Sequence, residues 1–137
     1  MSNGVNYNTK PKSVLIIEDS PTQALHTNAV LERSGIQSMC ATNGLMGLSL
    51  ARQIHPDLIV LDIQLPDVDG FEVCKQLKTD PETREIPVIM LTRSDTLDAL
   101  QKGIDCGADD YIPKDAFADA VLLETIKQMG LLPDKEE

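Results

Sequence analysis

The chain has no tryptophan, two tyrosines and two phenylalanines. Tyr7, Phe71, Tyr111 and Phe117 are too scattered to suggest a platform on which nucleic-acid bases stack. Basic residues are also scarce, 12 against 22 acidic, for a net charge of −10. A surface of that sign repels a phosphate backbone, so no direct nucleic-acid partner is expected. No apolar run approaches the roughly 18 residues of a membrane helix, and Met1–Lys12 is too polar for a signal peptide. Membrane insertion and export are not expected. The three cysteines, Cys40, Cys74 and Cys106, match no zinc-ligand spacing. An odd, scattered set suits free, buried thiols in a reducing compartment, and the expected location is cytoplasmic.

What is present fits one domain. A chain of 137 residues, 42% of them hydrophobic, can bury close to about two-thirds of its unfolded surface and needs no staples. Residues 1–11 read as a flexible arm, residues 12–130 as the domain, and residues 131–137 as a short acidic tail. Within the domain, three wholly apolar runs stand out: Val14–Ile17, Leu58–Leu61 and Val88–Leu91. Ser20 before Pro21 marks a helix start, and Gly35 its end. Ile36–Ala41 alternates apolar and polar residues, then Asn43 caps a helix through about Ile54. Pro66–Gly70 carries turn chemistry, and Phe71–Leu77 has helical spacing. Leu97, Leu100 and Ile104 keep one face of a fourth helix, which Gly107 ends. Tyr111 and Ile112 make a short strand. Phe117, Val121, Leu122, Ile126 and Met129 share one face of a last helix, and Leu123 falls off that arc.

Strand and helix therefore alternate five times, which predicts an α/β fold with a doubly wound parallel sheet and helices on both faces. Continuous apolar runs are strands buried on both sides, so those three are central and the other two are edges. Right-handed crossovers favour the order 2-1-3-4-5. In such sheets ligands bind beyond the carboxyl ends of the strands.

The residues at those ends are chemically loaded. Glu18 and Asp19 follow the first strand, Asp62 the second apolar run, Thr92 the third, and Lys114 the last strand. Neighbouring strands lie about 4.8 Å apart, which brings Asp19 and Asp62 near contact. Two like charges at 4 Å repel by about 4 kcal/mol at an effective dielectric near 20. A compensating cation or a raised pKa is required. Hard oxygen ligands with room for water suit Mg²⁺.

Glu18-Asp19, Asp62 followed by Leu65–Gly70, Thr92, and Tyr111 three residues before Lys114 together resemble the receiver domain of two-component response regulators. The resemblance runs from about Lys12 to Met129 and implies a flavodoxin-like fold. It implies that Asp62 is the phosphoacceptor, taking its phosphoryl group from a histidine kinase or a histidine phosphotransfer protein. Glu18, Asp19, Asp62 and the backbone carbonyl of Gln64 would hold Mg²⁺. Lys114 would pair with the phosphoryl oxygens, Thr92 would bond them as the switch hydroxyl, and Tyr111 would follow it inward. The output face in this family lies on the fourth helix, fifth strand and fifth helix. With about eight residues after the last helix, a stand-alone signalling module acting on a separate protein is expected rather than an enzyme.

Two positions depart from the family pattern. Arg93 stands after the switch threonine, where a small residue is usual, and Asp115 follows Lys114 in place of proline. Both are candidate modulators of the phosphate's lifetime. Without proline, the Lys114–Asp115 bond is expected to be trans or else strained. Other functions fit less well. An aspartyl phosphatase wants a second acid where Gln64 stands, and a flavin carrier's phosphate would be repelled by Glu18-Asp19. A receiver-like interaction module that never takes phosphate is the alternative. His26 and His55 sit at no strand end and are expected to be structural.

Overall fold

The structure is a computed structural model and is described for residues 12–93 and 96–132. The expected arm, residues 1–11, and residues 133–137 of the expected tail lie outside the described residues. Five strands, β1 (Ser13–Ile17), β2 (Gln37–Ala41), β3 (Leu58–Leu61), β4 (Val88–Thr92) and β5 (Asp110–Pro113), alternate with five helices. These are α1 (Pro21–Arg33), α2 (Gly44–Ile54), α3 (Gly70–Thr79), α4 (Leu97–Asp105) and α5 (Ala118–Gln128). The strands form one sheet in the order β2-β1-β3-β4-β5, every pair parallel, as the alternation predicts. No described helix is long and apolar enough to cross a membrane.

Local chemistry sets the boundaries. Ser20 accepts the Gln23 N–H at 3.3 Å with Pro21 preset in the first turn, and Asn43 accepts that of Met46 at 2.8 Å. Gly35 (φ 81°) and Gly107 (φ 93°) follow α1 and α4 in the left-handed region that glycine enters without strain. His55 also enters it, at φ 46°, where it closes α2.

The three central strands are buried on both faces, so neighbouring residues feed different cores. Leu15, Ile17, Ile59, Leu61, Val88 and Met90 pack with Leu48 and Ala51 of α2 and Val73 and Leu77 of α3. Val14, Ile16, Leu58, Val60, Ile89 and Leu91 pack with Leu31 of α1 and Leu122 and Ile126 of α5. Each fully buried side chain of this size stabilises the fold by about 1.5–3 kcal/mol. Leu131 and Leu132, placed by the sequence in the tail, pack against the second cluster. The cysteines are free; Cys74 and Cys106 are buried and Cys40 is half-buried.

The spacing leaves open which way the apolar faces of two helices point. On α4 the apolar stripe faces outward, with Leu97 83%, Leu100 39% and Ile104 62% exposed. Its inner face is built from Ala99 and Gly103. A Cβ on Gly103 would lie 2.8 Å from the Tyr111 ring, so the small residue lets α4 settle against β5. On α5, Leu122 and Ile126 are buried as expected, but Phe117 and Val121 are exposed and Leu123 is half-buried. Phe117 precedes the first helical residue, which takes it off the helical arc.

Candidate functional site

The sheet register carries the loaded residues to one edge. Ile17 lies opposite Ala41 on one side and Leu61 on the other, so the residues after β1 and β3 emerge together. The Asp62 N–H donates to the Ile17 carbonyl at 3.0 Å, and the Glu18 N–H donates to that of Ala41 at 3.0 Å. These bonds extend the ladder one residue past the strands and fix both acids at its end. Glu18, Asp19 and Asp62 each offer a carboxylate oxygen, all within 4.8 Å of one another. Glu18 and Asp62 are buried, while Asp19 is exposed.

Lys114 enters from the far edge. Its N–H donates to the Thr92 carbonyl at 2.7 Å, which ties the end of β5 to that of β4. The ammonium donates to Glu18 Oε1 at 2.8 Å and lies 3.5 Å from Asp62 Oδ2. Burial pushes the Glu18 carboxyl above its ordinary value. The Lys114 hydrogen bond opposes that shift, and the Asp62 charge adds to it. With three acids and one lysine, the cluster carries an excess of negative charge.

The remaining expected residues are distributed around this centre. Thr92 is fully buried at the end of β4. The Gln64 N–H donates to Asp62 Oδ1 at 3.3 Å, so its peptide runs beside the acid. A hollow of about 290 Å³ opens over the group, lined by Glu18, Asp19, Asp62, Gln64, Arg93 and Lys114 among others. Tyr111 is half-buried, pairs with Met90 and sets its ring against Gly103. Asp115 turns to the start of α5, where its side chain accepts the Phe117 N–H at 2.8 Å and its carbonyl accepts that of Ala118 at 3.1 Å. No cis peptide occurs among the described residues, so the bond after Lys114 is trans.

Two anchors were not legible as such in the sequence. Gly70 donates its N–H to the Ile63 carbonyl at 2.9 Å, and a Cβ there would stand 2.5 Å from the Asp62 carbonyl oxygen. Only glycine lets α3 start this close to the acid's own backbone. Asp67 reaches from the β3–α3 loop to the start of α2, accepting the N–H groups of Gly44 at 2.8 Å and Leu45 at 3.0 Å. Those bonds hold its carboxyl below the ordinary value. The turn-forming run Pro66–Gly70 announced the loop but not the distant helix it holds.

The response regulator receiver domain model matches residues 14–127. The chain belongs to this family. Receiver domains are signalling modules of two-component systems. Among curated relatives, the DNA-binding dual master transcriptional regulator RpaA of Synechocystis is 45% identical over 74% of this chain. The chain spans only 42% of that protein's length. Protein PilH of Pseudomonas aeruginosa is 42% identical over 82% of this chain and 93% of its own. The crystal structure of the Mn²⁺-bound form of the response regulator Rcp1 superposes with a TM-score of 0.77 at 27% identity, covering 90% of this chain and all of that one (100%).

Proposed function

We propose that this receiver domain is a phosphorylation switch. Asp62 accepts a phosphoryl group from the phosphohistidine of a sensor kinase or phosphotransfer protein, with Mg²⁺ as cofactor. The observation that carries the reading is the buried Asp62 carboxylate, held within 4.8 Å of two further acids and 3.5 Å from a lysine ammonium. Crowded hard oxygens of this kind suit a divalent cation, and the solved structure of a relative holds Mn²⁺. Glu18, Asp19, Asp62 and the Gln64 carbonyl are the residues that would hold it. Bound there, the ion offsets charge on the oxygens of the group in transfer.

Phosphoryl transfer asks the protein mainly for position and charge. An Asp62 oxygen forms the new bond to phosphorus as the bond to the donor's imidazole nitrogen breaks, and the electron pair stays on that nitrogen. Lys114 needs little movement to pair with the transferred oxygens. The Thr92 hydroxyl then bonds them, Tyr111 turns inward, and α4 shifts because the Tyr111 ring packs on Gly103. The outward stripe Leu97, Leu100 and Ile104 rides on that helix. The face made by α4, β5 and α5 is the output surface for a separate partner protein.

Intact-mass spectrometry after incubation with Mg²⁺ and a small-molecule phosphodonor tests the reading. One phosphoryl group on the wild type and none on Asp62→Asn is the expected result. No adduct on wild type, under conditions that label another receiver, would favour a phosphate-independent interaction module.

A further inference from the structure

We propose that Arg93 is the second cation of the phosphorylated site, and that its guanidinium closes over the phosphoryl group on Asp62 and slows hydrolysis. The proposal rests on the reading of Asp62 as phosphoacceptor. Arg93 directly follows Thr92 and is exposed. It lines the carboxylate hollow and also an adjoining one of about 350 Å³ beside α1 and α5. It stands on the rim between them, as do Gln23 and Lys114. The acids of the adjoining hollow are already engaged: Asp119 pairs with His26 at 2.9 Å, and Asp115 accepts the Phe117 N–H. Among the described residues Arg93 makes no ion pair or hydrogen bond.

Charge counting gives this free guanidinium a task. Glu18, Asp19 and Asp62 carry three negative charges, which Lys114 and one divalent cation balance. Phosphorylation replaces the single charge of Asp62 with about two on the phosphoryl oxygens. One negative charge is then left over, facing the hollow that Arg93 lines. A guanidinium forks onto two phosphoryl oxygens, which an ammonium cannot do. In that position it also stands where the hydrolytic water must approach. In hydrolysis the water oxygen bonds to phosphorus, the bond to the Asp62 oxygen breaks, and the electron pair returns to the carboxylate. The water's proton leaves with the phosphate or enters solvent.

The test compares wild type, Arg93→Ala and Arg93→Lys, each phosphorylated with Mg²⁺ and a small-molecule donor and then freed of donor. Decay of the adduct is followed by intact mass, with Mg²⁺ and after chelation. In Arg93→Ala it should be about fivefold faster, the rate equivalent of about 1 kcal/mol. Arg93→Lys should fall between, because it keeps the charge without the fork. A second readout is the Arg93 Nε–H resonance in a ¹⁵N-labelled sample, assigned by its loss in Arg93→Ala. It should shift in step with phosphorylation of the wild type. Decay that is unchanged or slower in Arg93→Ala, or a resonance that does not move, overturns the proposal and leaves Asp62 as acceptor. No Asp62-dependent adduct on wild type overturns both readings.

Discussion

The Lys114 ammonium lies 2.8 Å from Glu18 but 3.5 Å from Asp62, so its closer partner is the neighbour of the proposed phosphoacceptor. Glu18 is nonetheless a strained neighbour, because burial raises its carboxyl above the 4.5 of a free glutamate, against the pull of Lys114. A group raised by folding contributes stability below its unfolded value, and that contribution is lost as pH rises through the folded one. Glu18 therefore weakens the metal-free domain toward neutral pH. With a chelator present, Glu18→Gln should melt above wild type at neutral pH, the two converging below 4.5. Calorimetry across that range decides it, and a variant less stable at neutral pH would refute the account.

Metal should reverse the order. A cation that binds only the folded state raises stability by about 2.7 kcal/mol at one hundred times its dissociation constant. Excess Mg²⁺ should thus raise the melting midpoint of wild type, and substantially less that of Asp19→Asn. Asp19 is exposed and lines the hollow, so losing its charge removes a proposed ligand without opening the core. Equal stabilisation of both proteins would remove Asp19 from the metal site.

The carboxylate centre was legible because its logic is local. A strand buried on both faces is a continuous apolar run, and the first polar residue after it marks the sheet edge. Reading past Ile17, Leu61, Leu91 and Ile112 was enough to find Glu18, Asp62, Thr92 and Lys114. Long-range pairings left no such trace. Nothing near His26 announces its bond to Asp119, 93 positions away, which joins α1 to α5. The direction of α4 was hidden for another reason. Helical spacing identifies a stripe of leucine and isoleucine, but Gly103 and the ring of Tyr111 decide which stripe faces inward.

That outward stripe can be tested by stability. Leu97→Ser and Ile104→Ser remove large apolar side chains that are already in water, so each should change unfolding free energy by no more than about 0.5 kcal/mol. Leu122, 1% exposed on α5, should cost about 2–5 kcal/mol when cut to alanine. Urea unfolding of the three variants separates the two classes. A large loss from Leu97→Ser would mean that the stripe packs inward.

Gly70→Ala should harm position as well as stability. The added carbon would meet the Ile63 Cα at 2.4 Å and the Asp62 carbonyl oxygen at 2.5 Å, both backbone atoms that cannot swing aside. The loop must shift, at a cost of about 2 kcal/mol, and Asp62 shifts with it. Gly103→Ala meets the side-chain ring of Tyr111 instead, and its gain in helix propensity of about 1 kcal/mol offsets much of the crowding. Phosphorylation by a small-molecule donor should slow clearly in Gly70→Ala and little in Gly103→Ala. The opposite ranking would show that backbone placement at Asp62 does not limit the reaction.

Asp67 gives the pH test of opposite sign. Its carboxyl is held below the ordinary 3.8 by the Leu45 and Gly44 N–H groups at the start of α2. A charge in that position also meets the positive end of the helix. A group lowered by folding contributes stability above its unfolded value, and loses it as pH falls through the folded one. Asp67→Asn should therefore melt below wild type at neutral pH, and the gap should close as the solution is acidified below 3.8. A gap that stays constant through that range would mean that Asp67 acts by shape alone. The same variant should slow phosphorylation, because it keeps one acceptor oxygen but loses the second and the charge, which loosens the hold of α2 on the loop that leads from Asp62 to α3.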